Sequence, residues 1–229
     1  ARGGYPAPAA IDLELSYNRV RSSRLAWLIL LPAAVLSALS LARPGRPAAV
    51  AAIVGLVAGF IVMSWGIWAR WQVAGRIPAS NMYESLLFQA WGVGLFALIA
   101  SVFLRQKLVI LNATAMSALT MMLVDLLPMD AFIHPMPPGL SGTPWLAIHV
   151  PIIMVSYSVL ALGVVIAHMQ VGLEISGKAG NDQVTRMNDL LYWYIHVGSI
   201  LLIAGILTGS IWASSSWGRY WGWDPKEVW

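Results

Sequence analysis

The sequence predicts an all-α fold, a polytopic transmembrane helical bundle with about six spans and an external tryptophan-rich segment. Hydrophobic residues make up 59% of the chain and charged residues 10%, whereas a soluble domain has about 45–50% apolar and about 25% charged residues. Six apolar runs reach the length of roughly 20 residues that a helix needs to cross a bilayer. The breaks between these runs are rich in proline, glycine and charged residues, which is typical of loops.

The six runs can be placed in order along the chain. The first three are separated by Arg43–Pro47 and Gly75–Pro78, and the fourth follows Arg105–Lys107. A proline-rich stretch, Pro128–Pro144, precedes the fifth run, and a polar loop, Ser176–Asn188, precedes the sixth. The predicted spans are Leu25–Ala42, Ala48–Ala69, Met82–Leu104, Leu108–Pro128, Trp145–His168 and Leu190–Ala213.

The fourth span differs from the others because it carries polar side chains. These are Asn112, Thr114, Ser117 and Asp125. Polar groups inside a membrane usually face the interior of a helical bundle. This span is therefore expected to face other helices instead of lipid.

Two helix starts are visible as short motifs. Asn81 is a capping residue with Glu84 three positions later, and Asp224 is followed by Pro225 and then by Glu227. Both patterns are typical of helix N-termini. Because the second helix would begin close to the last residue of the sequence, the chain is predicted to be a fragment that a further span follows.

Three regions are predicted. Residues 1–24 form an extramembrane segment or junction, residues 25–213 form the transmembrane domain, and residues 214–229 form a tryptophan-rich segment truncated at the start of a further helix. The net charge of +4 is scattered between apolar runs, which indicates membrane topology instead of nucleic-acid binding. The chain has no cysteine, so it contains no disulfide, no thiolate metal site and no C-x-x-C-H motif.

The tryptophan-rich segment is the strongest candidate for a binding site. It places four tryptophans and a tyrosine among glycines and a few charged residues at positions 217–229. Flat aromatic walls suit a large, flat, apolar ligand, although an aromatic belt at the membrane interface is the alternative. The candidate binding residues are Trp217, Gly218, Arg219, Tyr220, Trp221, Gly222, Trp223, Asp224 and Lys226.

The same segment, W-G-x-Y-W-G-W-D-P-K-E-V-W, resembles the WWD signature of the CcsA/ResC family of system II cytochrome c synthases. Residues 81–88, N-x-Y-E-S-L-L-F, resemble a second block of that family, and residues 121–128 resemble a third, weaker block. Together with residues 203–213, the resemblance covers most of 81–229. The run 14–20 looks like a junction, so the chain is also compatible with the C-terminal part of a fused CcsBA-type protein.

The resemblance implies that the tryptophan-rich segment binds haem, with Arg219 and Lys226 toward the propionates. It also implies that Trp145 is a binding residue. His149, which follows Trp145 in the context W-L-x-x-H-V, is implied to be an axial ligand of the haem iron on the outer side. A neutral imidazole is a good iron ligand, and helix packing is the alternative role for His149. In the family a second external histidine lies after the tryptophan-rich segment, so the second axial ligand is expected beyond residue 229.

Three other histidines are weaker candidates for binding haem iron. His134 lies in the proline-rich loop between Met129 and Met136, where a solvated loop residue is the alternative. His168 and His196 lie near the inner ends of the fifth and sixth spans, where they could hold an entering haem. The alternative for His168 is that its side chain reaches the inner headgroups.

The resemblance predicts a function in cytochrome c biogenesis. Haem would be bound and presented at the outer face for thioether attachment to the C-x-x-C-H motif of apocytochrome c, as part of a holocytochrome c synthase. Catalysis would be mostly positioning, and no catalytic residue is predicted because no general acid or base stands out. The implied partners are apocytochrome c, a CcsB/ResB-type subunit or fused half, and the lipid bilayer.

The predicted location is the bacterial inner membrane, in preference to a plastid thylakoid. The resemblance implies that the tryptophan-rich segment lies on the periplasmic side, which the distribution of Lys and Arg alone does not favour. Two alternative functions stay open on the sequence. The chain could be a non-catalytic haem-delivery or regulatory membrane protein, or a transporter of another apolar or anionic solute. A scaffold subunit within a larger complex is a third possibility.

Overall fold

The computed structural model describes residues 8–43, 45–104, 106–135, 144–177 and 180–224. Over these residues the regular structure is entirely helical, which confirms the predicted fold class. Six segments are long and apolar enough to cross a membrane, so the chain is an integral membrane protein. The helices are α1 Pro8–Val20, α2 Ser22–Ala42, α3 Arg46–Ala74, α4 Met82–Leu104, α5 Lys107–Leu126, α6 Trp145–Ile175 and α7 Asn181–Trp217.

Several helices run beyond the predicted spans. Helix α7 contains 37 residues and is therefore about 55 Å long, whereas the hydrocarbon core of a bilayer is about 30 Å thick. The predicted polar loop Ser176–Asn188 is helical from Asn181 onward. Hydropathy marks the part of a helix that matches lipid, and backbone hydrogen bonds continue the helix into water. Residues 8–20 are also helical, and whether they lie outside the membrane stays a prediction.

The chain divides into two compact units, Ala1–Pro135 and Met136–Trp229. The first contains α1 to α5, with α2 packed against α3 and α5, and α4 packed against α5. Helix α5 is the most buried of the six candidate spans. Its side chains Asn112, Thr114 and Ser117 are buried, and Ser117 Oγ donates to the carbonyl of Ala90 in α4 at 3.1 Å. The prediction that this span faces other helices is confirmed.

The predicted cap of α4 is also present. Asn81 Oδ1 accepts the backbone N–H of Glu84 at 2.8 Å, and the helix begins at Met82. The second predicted helix start, at Pro225, lies outside the described residues.

The second unit is a pair of antiparallel helices, α6 and α7. Gly163 lies against Tyr194, and Gly198 lies against Leu160, so small residues allow the two backbones to approach closely. Ser156 Oγ adds a hydrogen bond across the pair, to the carbonyl of Gly198 at 2.9 Å. Because α6 and α7 run in opposite directions, the start of α6 and the end of α7 lie at the same end of this pair.

Candidate functional site

His149 lies in the second turn of α6 and contacts α7 directly. Its Nδ1 is 2.9 Å from the carbonyl oxygen of Gly205. A carbonyl oxygen only accepts hydrogen bonds, so this contact requires the proton on Nδ1. In the neutral ring Nε2 then carries the lone pair and can bind a metal.

Two tryptophans of α7 extend the ring of His149 into an aromatic series. The ring of Trp212 is stacked on His149, with 6.0 Å between the centroids and 22° between the planes. The centroid of Trp217 lies 5.3 Å from that of Trp212. The Nε1–H of Trp212 is buried and has no acceptor in the described part of the chain. His149 therefore connects through Trp212 to Trp217, the first tryptophan of the tryptophan-rich segment.

The sequence interpretation did not include Trp212, Gly205 or Gly209 among the site residues. A signal was present, because the spacing from Gly205 to Gly209 to Trp212 is four and then three residues. Residues separated by three or four positions lie on one face of a helix. The sequence alone did not indicate that this face of α7 would lie against His149.

The described part of the tryptophan-rich segment forms a short turn after α7. Gly218 ends the helix in the left-handed conformation, with a φ of 72°, which explains a glycine at this position. The guanidinium of Arg219 lies over Gly222 and pairs with Asp224 at 3.5 Å. The aromatic residues of this turn are exposed, and they are Trp217, Tyr220, Trp221 and Trp223.

The indole rings of Trp221 and Trp223 meet edge to face, with 6.0 Å between their centroids. Trp223 adopts a φ of 57°, a conformation that side-chain-bearing residues rarely adopt. Trp145 is the first residue of α6, one turn before His149. Lys226, another predicted binding residue, lies outside the described residues.

The three remaining histidines make hydrogen bonds within their own helix or loop. His134 follows α5 in the first unit, is exposed, and pairs through Nε2 with Asp130 Oδ2 at 2.7 Å. The Nδ1 atoms of His168 and His196 bond to carbonyls of their own helices, at 2.7 Å and 2.8 Å. The roles of these three histidines as iron ligands stay predictions.

His168 and His196 lie at different levels of the helix pair. Gly163 lies against Tyr194, and Gln170 bonds to Asn188, so this register places His196 about seven residues along the axis from the level of His168. A rise of about 1.5 Å per residue separates the two levels by about 10 Å. This offset does not favour a single haem held by both rings.

A second polar feature, which sequence reasoning missed, lies in the first unit. Glu84 and Arg70 form an ion pair at 2.9 Å, and both side chains are 0% exposed. The other oxygen of Glu84 accepts hydrogen bonds from Arg76 at 3.1 Å and from both the backbone N–H and the hydroxyl of Ser80. Glu84 is thus a buried charge-pairing residue as well as a member of the predicted capping motif. We call Arg70, Arg76, Ser80 and Glu84 the buried ion cluster.

The buried ion cluster holds the segment that follows α5. Arg70 donates to the carbonyls of Ala131 at 2.8 Å and Phe132 at 3.0 Å, and Arg76 donates to the carbonyl of His134 at 3.0 Å. Within this segment the N–H of Phe132 and the ring of His134 hold the pKa of the Asp130 carboxyl below its usual range. Two arginines therefore fix the backbone of residues 131–134.

A cavity of about 270 Å³ lies beside this cluster in the first unit. Its walls come from the ends of α1, α2, α4 and α5 and include Tyr17, Arg21 and Tyr83. Asp125, also in the wall, accepts hydrogen bonds from Arg24 at 3.0 Å and from Trp27 at 3.1 Å. The hydroxyls of Tyr17 and Tyr83 lie 3.5 Å apart, so these two groups and Asp125 are engaged with other residues of the chain.

The fold and the site together define a polytopic helical membrane protein with an imidazole beside a tryptophan-rich segment. A family described as cytochrome c assembly protein matches residues 79–229. Several curated relatives carry the name cytochrome c biogenesis protein CcsA. The one from Synechococcus sp. strain CC9902 is 32% identical over 88% of this chain and 75% of its own length.

Two further relatives with that name give the same result. The protein of Parasynechococcus marenigrum strain WH8102 is 32% identical over 89% of this chain and 76% of its own length. That of Prochlorococcus marinus strain MIT 9515 is 31% identical over 70% of this chain and 60% of its own length. The chain belongs to the CcsA family of cytochrome c biogenesis proteins, which confirms the family predicted from the tryptophan-rich segment.

Proposed function

We propose that this chain binds haem at the end of the α6–α7 pair and presents it to the thiols of apocytochrome c. His149 would bind the iron through Nε2, and Trp212, Trp217 and the tryptophan-rich segment would supply aromatic surface for the porphyrin. The observation that carries this proposal is the orientation of His149. Its Nδ1 is occupied by the Gly205 carbonyl, and its ring is stacked in series with two tryptophans.

The distribution of ligands supports haem in preference to a bare metal ion. A protein site for a bare transition metal supplies three or four side-chain ligands. Among the described residues, no group of three or more histidines and carboxylates is placed to hold a metal ion. Iron that is already held by four porphyrin nitrogens needs only axial ligands, so one well-oriented imidazole is a useful contribution.

The turn after α7 carries charged residues that could pair with the propionates of haem. Arg219 is partly exposed and is paired only loosely with Asp224, at 3.5 Å. A propionate carboxylate would form a stronger, charge-assisted hydrogen bond with this guanidinium. We infer that Arg219 orients the propionate edge, and we retain Lys226 as a second candidate for this role.

The attachment step would need little chemistry from the chain itself. Each thiol S–H of the client adds across one vinyl C=C of haem, so that sulfur bonds to one carbon and hydrogen to the other, with no net oxidant or reductant. The role of this chain is to hold the porphyrin edge near the two thiols. Such proximity can lower the activation free energy by about 7–11 kcal/mol at best. We further propose that the tryptophan-rich segment faces the periplasm and that a CcsB/ResB-type subunit or fused half completes the assembly.

The first test is the visible spectrum of the detergent-purified protein, oxidised and reduced, beside that of its His149→Ala variant. We expect a Soret band with low-spin features that weakens or shifts in the variant. Glu174→Ala, which removes an exposed carboxylate of α6, serves as the control and should leave the spectrum unchanged. A spectrum that His149→Ala does not alter would reject His149 as the ligand, and no haem in either sample would reject the haem function.

A second assay separates attachment from delivery. The purified protein, its partner subunit, haem and a C-x-x-C-H peptide would be incubated under reducing conditions, and thioether formation followed by mass spectrometry. Covalent product that depends on His149 supports a synthase. Haem binding without covalent product would support the non-catalytic delivery alternative.

A further inference from the structure

The ring of His149 contacts three residues of α7. The Gly205 carbonyl bonds Nδ1 at 2.9 Å, and Trp212 is stacked on the ring at 22°. Gly209, between these two residues, lies against the edge of the imidazole. These three residues occupy one face of α7 because they are spaced by four and three positions.

The absence of a side chain at position 209 is what allows the ring to lie there. A Cβ at Gly209 would lie 2.7 Å from Cε1, 3.0 Å from Nδ1 and 3.3 Å from Nε2 of His149. The imidazole is rigid, and its only adjustments are rotations about two bonds. An alanine at 209 must therefore displace the ring or separate the helices.

We propose that Gly209, the Gly205 carbonyl and Trp212 form a histidine cradle that fixes the tautomer and orientation of the His149 ring and so directs Nε2 toward the substrate. The role of the cradle in directing Nε2 rests on the proposed function, whereas the cradle itself rests on the contacts around the His149 ring. The three residues are positioning residues, since they act through His149. A neutral ring whose Nδ1–H is bound to a carbonyl presents a more basic Nε2 in one direction.

Close helix packing alone could also explain glycines in α7, and the chain offers a matched control for that alternative. Gly198 lies on the same helix, and a Cβ there would lie 2.6 Å from Leu160 Cδ2. Gly198→Ala therefore introduces a clash of similar severity, in the same helix pair, that does not involve His149. Effects of Gly209→Ala that Gly198→Ala reproduces would belong to packing.

The first experiment uses the protein without haem. Histidine would be labelled with ¹⁵N and the tautomer of each ring assigned by NMR in detergent, with His149→Ala identifying the signal of that residue. We expect the Nδ1–H tautomer for His149 in the unsubstituted protein and in Gly198→Ala, and its loss in Gly209→Ala. A His149 signal that is the same in all three proteins would overturn the cradle.

The second experiment tests whether the clash is with the imidazole. We expect Gly209→Ala to lower thermal stability and the double variant His149→Ala/Gly209→Ala to regain part of that loss, because the obstructing ring is gone. Double-mutant cycles isolate such coupling between contacting residues. Strictly additive effects would overturn the cradle, and this comparison is informative even if Gly209→Ala alone folds poorly.

The third experiment measures the consequence for haem. We expect Gly209→Ala to lose low-spin character and to shift the midpoint potential, with added imidazole restoring the low-spin bands, whereas Gly198→Ala behaves like the unsubstituted protein. Unchanged spectra and potential in Gly209→Ala would overturn the cradle while leaving haem binding intact. Failure of the unsubstituted protein to bind haem would instead reject the proposed function, and the tautomer measurement would still decide whether the cradle exists.

Discussion

The buried ion cluster of the first unit and the histidine cradle of the second use polar groups inside a membrane protein in opposite ways. Arg70 makes four hydrogen bonds, and Glu84 accepts four. In the cradle, Nε2 of His149 has no protein hydrogen bond among the described residues, and Trp212 Nε1–H has no acceptor. Charged groups whose donors and acceptors are nearly all bonded within the protein hold the chain in place. A ring nitrogen without a protein hydrogen bond can instead bind a substrate.

The largest expected effect comes from breaking the ion cluster. Glu84→Ala leaves Arg70 fully buried without a counter-charge, which costs about 3–5 kcal/mol of unfolding free energy. Thermal unfolding of the detergent-purified protein, followed by circular dichroism, measures this loss. Glu174→Ala, which removes an exposed carboxylate, should stay within about 0.5 kcal/mol of the unsubstituted protein. Stability equal to that of the Glu174 variant would show that the cluster does not hold the fold.

A milder change separates charge from hydrogen bonding within the cluster. Arg70→Lys keeps the positive charge but cannot reach Glu84 and the carbonyls of Ala131 and Phe132 together. We expect a loss of about 1.5–3 kcal/mol and faster amide exchange in residues 131–134, measured by hydrogen–deuterium exchange mass spectrometry. Arg186→Lys, an exposed substitution in α7, is the control. Unchanged exchange in this segment would contradict its fixation by Arg70.

The corresponding change in the cradle should affect stability much less. His149→Ala removes one neutral hydrogen bond, from Nδ1–H to the Gly205 carbonyl, and we expect a loss of about 1 kcal/mol together with loss of the haem spectrum. The same thermal unfolding measurement, made on the haem-free protein, checks this value. A loss as large as that of Glu84→Ala would remove the distinction between the two regions.

The smallest effect concerns Asp130, which directly precedes the segment that the buried ion cluster holds. The Phe132 N–H and His134 lower the pKa of the Asp130 carboxyl. The hydrogen bonds of this carboxylate therefore stabilise the segment that follows α5 at pH values above the unfolded pKa of about 3.9. That contribution is lost as pH falls through the lower folded pKa. We expect the protection factor of the Phe132 amide, which is its intrinsic exchange rate at each pH divided by the rate observed by NMR, to fall in acid in the unsubstituted protein. In Asp130→Asn this protection factor should already be lower at neutral pH, without a further acid-dependent step from this residue.

Local sequence patterns predicted much of the fold. Apolar runs located six spans, and the polar residues of α5 correctly indicated that this helix faces other helices. The Asn81 cap marked the first residue of α4 because capping depends on neighbours within one turn. The predicted fifth and sixth spans are shorter than the helices α6 and α7 that contain them, because hydropathy reports on contact with lipid and a helix can continue beyond the bilayer.

The site was predicted in part. His149 and the tryptophan-rich segment were selected from their motifs, and their binding roles stay predictions. Trp212, Gly205 and Gly209 were not selected, because each resembles an ordinary residue of an apolar helix. Arg70 appeared in the sequence only as a charge after a span, although it is 0% exposed and paired with Glu84.

The sequence by itself determined the class of this protein, the position of its spans and its family, since composition, run length and a continuous motif are properties of neighbouring residues. Only the tertiary structure decided which polar groups have hydrogen-bond partners within the protein and which atoms stay without one. Glu84 is saturated because α3 brings Arg70 to it, and His149 keeps Nε2 open because α7 brings a carbonyl to Nδ1. These two pairings join residues 14 and 56 positions apart, and they depend on how helices pack, which no local pattern specifies.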